Sequence, residues 1–180
     1  MLEVLFPNVV WEKAWEKPYE TLYMTGVSLV FIIILGILLG LLLFLTSEGN
    51  LWENKVLNTF VAAVVNIFRA IPFVLLIILL IPFTKFLVGT MIGKEAALPA
   101  LVIGSAPFYA RMVEIGLREI DKGVIEAAKA MGAKTSTIIF KVLLPESMPA
   151  IVGGITVTAI ALVGYTAIAG VIGAGGLGDY

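Results

Sequence analysis

The sequence predicts an all-α membrane protein, a polytopic helical bundle with four visible spans. Three observations predict it. Hydrophobic residues make up 60% of the 180 residues and charged residues only 14%, with a mean hydropathy of +1.06. Soluble domains run near ~45–50% apolar and ~25% charged, and a body this small has too little interior to hide the excess. The apolar residues collect into four long stretches divided by charged positions. Finally, six of the twelve Lys and Arg residues fall between Arg111 and Lys141, in one connector.

The same composition narrows the chemistry. The chain has no Cys and no His. Disulfides, thiol chemistry, zinc sites of the usual kind, Ser-His-Asp triads and imidazole relays are therefore excluded. A net charge of -1 argues against a nucleic-acid footprint. No G-x-x-x-x-G-K-[ST] phosphate loop occurs. No catalytic residue, metal or cofactor is expected.

Residues 1–20 read as an external segment, with Glu3, Glu12, Glu16 and Glu20 outnumbering Lys13 and Lys17. No charge occurs from Thr21 to Ser47. A helix of that length is about 40 Å long, more than the ~30 Å hydrocarbon core, so it is the first span. Acidic rather than basic residues precede it, and it is too long for a signal peptide. Gly36 and Gly40 give it a small-x-x-x-small surface for close contact with a helix the sequence does not name.

The second apolar region is Val56–Thr84, interrupted by Arg69, with Pro72 and Pro82 expected to kink or frame it. Arg69 is either an interfacial cation at the cytoplasmic end of this span or an anchor of the core, facing Glu114 or a backbone carbonyl. The third span, Ala96–Ala110, continues through Arg111 toward Leu117. Pro107 is expected to kink or frame it in the same way. Arg111 and Glu114 are i, i+3 and form a local pair or help to move the connector. The fourth span runs from about Pro149 to Ile172, followed by a glycine-rich turn or re-entrant loop. It carries Thr156, Thr158, Gly164, Tyr165 and Thr166, suited to tight packing or to lining a pathway. Tyr165 and Ile168 are bulky among small neighbours and are candidates for a constriction.

The connector, residues 116–146, is placed in the cytoplasm by its basic residues, and the N-terminus and glycine-rich end then lie outside. Lys85 and Lys94 fall on the outer side against that rule. Asp121 suits a helix N-cap and Gly132 a left-handed stop. Between them Val124, Ala127, Ala128 and Met131 share one face. A second helix restarts at Thr135 or Ser136 and ends at Pro145. A helix of about nine residues is unstable alone in water, so this one needs a partner surface, on its own spans or on another protein.

Glu126-Ala127-Ala128, three residues, Gly132, nine residues, then Val142-x-Leu144-Pro145 resembles the cytoplasmic signature of ABC importer permeases, E-A-A-x3-G-x9-I-x-L-P. Val142 replaces the usual Ile. Val65-Asn-Ile-Phe-Arg-Ala-Ile-Pro-Phe73, Ile81-Pro-Phe-Thr84, Gly104-Ser-Ala-Pro-Phe-Tyr-Ala-Arg-Met-Val-Glu114, Leu162-Val-Gly-Tyr-Thr166 and Gly173-Ala-Gly-Gly-Leu-Gly178 are similar to the methionine-uptake permeases of that superfamily. The resemblance covers nearly the whole chain after about residue 18.

The resemblance implies a type I ABC importer permease in the cytoplasmic membrane of a prokaryote. It implies that residues Val124–Gly132, with Leu144 and Pro145, form the element that docks on an ATP-hydrolysing subunit. It also implies a second copy of the chain, two ATP-binding cassette subunits and an external substrate-binding protein as partners. The expected function is import of a small amino acid, methionine first. Import of another small solute, or a non-transporting scaffold role, remains open on the residues alone. In the family a fifth span follows the glycine-rich loop. This chain stops at Tyr180, so the resemblance implies that a last span is missing.

Overall fold

A computed structural model describes residues 11–179. Every regular element among them is helical. The first, α1, spans Trp11–Thr46 and runs through Pro18. It continues across the expected boundary at residue 20, so residues 11–20 are part of the first span's helix. Residues 1–10 of the expected external segment lie outside the described residues.

A turn then leads to α2 (Lys55–Ala70), whose N-cap Asn54 accepts a hydrogen bond from the Leu57 N–H at 3.0 Å. The expected second span is not one helix. It is α2, α3 (Phe73–Leu79) and α4 (Ile81–Val88), with a 106° bend between α2 and α3. Pro72 lacks an N–H and drives Ile71 into the extended region (φ -78, ψ 124), which ends α2. Pro82 sits in the first turn of α4, where its missing N–H is harmless. Both prolines act where the sequence places them.

Helix α5 (Lys94–Arg118) runs unbroken past Pro99 and Pro107, so the kink or frame expected at Pro107 does not divide the third span. It is the centre of the molecule: Leu101, Tyr109, Ala110, Val113 and Leu117 are fully buried. The partner of the Gly36–Gly40 surface is α5. A Cβ on Gly36 would collide with the Tyr109 ring, and one on Gly40 would lie 2.7 Å from the Ala110 carbonyl oxygen. Residue numbers rise together along this contact, so α1 and α5 are parallel. That arrangement requires the intervening α2–α4 segment to return the chain to its starting end. On the other side α5 meets α9 (Met148–Ala169), where Gly154 lies against Tyr109 and Gly116 against Ala150. The Tyr109 hydroxyl donates to the Ile151 carbonyl at 3.3 Å.

Among the described residues three helices are long and apolar enough to cross a membrane: Trp15–Thr46, Lys94–Arg118 and Met148–Ala174. The expected count of four is reached by counting the bent α2–α3 pair as one span.

Between α5 and α9 lie α6 (Lys122–Ala130), α7 (Thr135–Ile138), a π-helical turn (Ile139–Leu143) and α8 (Leu144–Glu146). The second connector helix does not end at Pro145, as expected, but runs to Glu146, with Ser147 as its C-cap. The Leu144 N–H reaches back to Ile139 across the wide π turn, and that widened ring lets the chain stay helical through proline.

The molecule has two distinct ends. At one, the glycine-rich loop folds back on the start of α1. Gly173, Gly175 and Gly176 all have positive φ, the conformation that glycine adopts without a Cβ penalty. The Gly176 N–H donates to Glu20 Oε2 at 2.8 Å and the Leu177 N–H to Thr21 Oγ1 at 2.9 Å. Lys17 pairs with Asp179 at 2.7 Å, and Lys94 lies over the rings of Tyr23 and Tyr19. The other end holds the 47–54 turn and the connector.

Candidate coupling segment and translocation path

The connector helix is built by its caps. Asp121 accepts a hydrogen bond from the Gly123 N–H at 2.6 Å, closing the N-terminus of α6. At the other end Gly132 has φ +76. Its N–H donates to Lys129 at 2.9 Å and the Ala133 N–H to Ala128 at 3.1 Å. This pair of bonds is a Schellman turn. The sequence places both ends of this helix where the structure has them.

The faces of α6 differ from the expectation. Ile125 and Ala128 are buried and join the main core. Val124 is 44% exposed, Met131 is 82% exposed and Ala127 is exposed. Ala128 therefore does not share an open face with Val124, Ala127 and Met131. Ile125, larger and more apolar than its neighbours, takes the inward position and turns Ala128 in with it at i+3. What remains outward is an apolar stripe at i, i+3, i+7 on a helix nine residues long. Glu126 and Pro145 are exposed, whereas Leu144 packs partly against the core.

Glu114 is 2% exposed. It accepts from Arg111 and also from Arg118, whose Nε and Nη2 lie 3.0 and 2.8 Å from Glu114 Oε1. A carboxylate removed from water needs such charge-assisted partners. Arg111 also donates to Asn66 Oδ1 at 2.9 Å, which ties α5 to α2. The expected local pair is thus half of a cluster at the base of α5, three residues before the N-cap of α6. Arg118 is legible in the spacing as the i+4 partner of Glu114. Asn66 has no local signal.

Arg69 is exposed in the last turn of α2. It ends α2, about 21 Å along the axis from Lys55, so it is not at the end of the span nearest the connector. It does not pair with Glu114, because Arg111 and Arg118 occupy that carboxylate. Instead it lines a cavity of about 130 Å³ together with Phe73, Gly104, Phe108 and Tyr165. Tyr165 stacks on Phe73, with ring centroids 4.5 Å apart and planes 13° from parallel. Tyr165 and Ile168 are both half-buried and packed against the core. Among the described residues no group of His, Cys, Asp and Glu could hold a metal ion.

Fold and site together define the class: a polytopic α-helical membrane protein with a capped, outward-facing amphipathic helix at one end. The chain belongs to the family of binding-protein-dependent transport system inner membrane components, whose profile it matches over residues 32–180. It is 78% identical over 137 residues to the methionine import system permease protein MetP of Bacillus subtilis (strain 168), covering 76% of this chain and 62% of that protein. To the D-methionine transport system permease protein MetI of Escherichia coli (strain K12) it is 52% identical over 128 residues, covering 71% of this chain and 59% of the relative. The chain spans about six-tenths of the length of the curated relatives it matches. Among solved structures it is similar to an inward-facing form of the MetNI methionine ABC transporter. There the TM-score is 0.91 at 49% identity, over 94% of this chain and 78% of that one. The fold is that of a type I ABC importer permease.

Proposed function

We propose that the chain is the membrane-spanning subunit of an ATP-driven importer that carries methionine into the cell. The observation that carries this reading is α6: a helix capped at both ends, anchored by Ile125, and holding an apolar stripe clear of its own protein. Such a stripe fits a groove on a partner. In this reading the partner is an ATP-binding cassette subunit, and ATP hydrolysis falls to it. The substrate assignment is supported by the names of the relatives that share 52–78% identity with this chain.

The mechanism follows from the attachments of α6. Ile125 and Ala128 share a core with Leu117 of α5 and Ile151 of α9. A displacement of α6 by its partner is therefore passed to both helices, while the Glu114 cluster keeps the base of α5 rigid. Helices so coupled switch between packed arrangements rather than deforming continuously. Tyr165, with Ile168 beside it, lies where such a movement opens or closes the path. Four or five spans are too few to enclose a pathway, so two copies of the chain form it, each with its own ATPase. An external binding protein delivers the substrate. The basic end carrying the connector faces the cytoplasm, and the glycine-rich end and the start of α1 face outside.

Radiolabelled uptake into vesicles containing all subunits tests the reading. Uptake is expected to require ATP and to be abolished by excess unlabelled methionine. Uptake indifferent to methionine but competed by a different amino acid would overturn the substrate assignment.

A further inference from the structure

We propose that Arg69, with the stacked rings of Phe73 and Tyr165, forms an anion subsite that holds the carboxylate of the amino acid in transit. The inference rests on the importer reading above and places the passing cargo on this chain.

The first observation is electrostatic. Arg69 sits far along α2 from the connector end, at the 106° break in the expected span. A guanidinium at membrane depth demands an anionic partner or water. Among the described residues no carboxylate lies within ion-pairing distance of Arg69, since the ion pairs there involve Lys17, Arg111 and Arg118. The one buried carboxylate among them, Glu114, is already held by two guanidiniums. Among the described residues nothing fixed neutralises Arg69, which is exposed, whereas a mobile anion would.

The second observation is the space beside it. The cavity of about 130 Å³ lined by Arg69 is close to the ~150 Å³ void that admits a benzene-sized guest. An amino acid's head, counted through Cβ, has the same number of non-hydrogen atoms as benzene. The remaining walls are chiefly aromatic, from Phe68, Phe73, Phe108 and Tyr165. Such walls leave Arg69 exposed and open to a charge-assisted contact with an incoming carboxylate. They also suit a thioether, whose sulfur packs well at ring edges. Pro72 holds this geometry in place by forcing the break that sets Arg69 and Phe73 on either side of the same turn.

The permease–ATPase complex in lipid nanodiscs, without binding protein, is to be labelled with a photoreactive diazirine analogue of methionine, and the adducts mapped by mass spectrometry. Adducts are expected on peptides containing Phe73 or Tyr165, competed by methionine and not by methioninamide, which has the same side chain but no carboxylate. Arg69→Gln is expected to lower this labelling by about tenfold or more, the worth of one charge-assisted contact. Arg69→Lys, which keeps the charge, should retain most of it. Co-elution of each variant with the ATPase confirms assembly. Equal competition by the amide, or wild-type labelling in Arg69→Gln, would overturn the subsite. The amide comparison in the unmutated protein decides the matter even where a variant fails to assemble. Methionine uptake without carboxylate-dependent labelling rejects the subsite and leaves the importer reading standing. Absence of methionine uptake by the wild type rejects both.

Discussion

Glu114 shows how much one side chain decides here. Its carboxylate is enclosed, and two guanidiniums supply its partners from i-3 and i+4 of the same helix. Removing the carboxylate leaves two cations converging on an apolar hollow. Breaking a buried pair costs ~3–5 kcal/mol, but both arginines keep some access to solvent, so about 2–3 kcal/mol is the expected loss for Glu114→Ala. Glu114→Gln keeps the shape and one acceptor and should lose roughly half as much. Thermal unfolding of the detergent-solubilised protein checks this. An unchanged midpoint for Glu114→Ala would show that the cluster contributes nothing to holding α5. The i, i+3 spacing makes Arg111 and Glu114 legible in the sequence, and i+4 does the same for Arg118. The bond from Arg111 to Asn66 is not legible, because it joins residues 45 apart in the chain and depends on how α2 lies against α5.

Helix α6 shows what can be read of an element. Its ends follow from Asp121 and Gly132, because capping is local chemistry. Its orientation does not, because four apolar positions fit one face equally well until the core selects Ile125. The consequence is testable. Gly132→Val puts a Cβ into a left-handed conformation at a strain of ~1–2 kcal/mol, with nothing within 4 Å to clash with. The Schellman turn should open and the stripe should be misaligned. Membrane levels are expected to remain normal while ATPase association weakens and uptake is lost. Ala128→Trp should behave differently. Ala128 faces its own protein, so a large ring overfills the core, at ~1–3 kcal/mol or more, and lowers folded protein. Membrane fractions probed by immunoblot, with ATPase pull-down, separate the two. Full uptake by Gly132→Val at normal levels would remove the coupling role from α6.

At the scale of the molecule the prediction is topological. The chain has no Cys, so single cysteines are clean probes. Thr90→Cys, in an exposed loop near the glycine-rich end, should react with an impermeant maleimide in intact cells. Lys134→Cys, on the connector, should react only after permeabilisation. The reverse pattern would invert the orientation.

The sequence alone determined that this protein is a helical membrane protein, where its long spans lie, and which segment carries a capped amphipathic helix. Composition, charge-free length and capping residues act locally, so they can be read without knowing the fold. The sequence pointed to a kink or frame at Pro72 but not to the 106° break, since α5 stays helical past Pro99 and Pro107 despite the same missing N–H. Only the tertiary structure decided that the broken segment sets α1 and α5 parallel, and that α5 is the partner of Gly36 and Gly40. It also decided that the glycine-rich loop closes on Glu20 and Thr21, and that Arg69 looks into a cavity rather than at Glu114. Each of these joins residues far apart in the chain. Such contacts are selected by the packing of whole helices against one another, which no local pattern encodes.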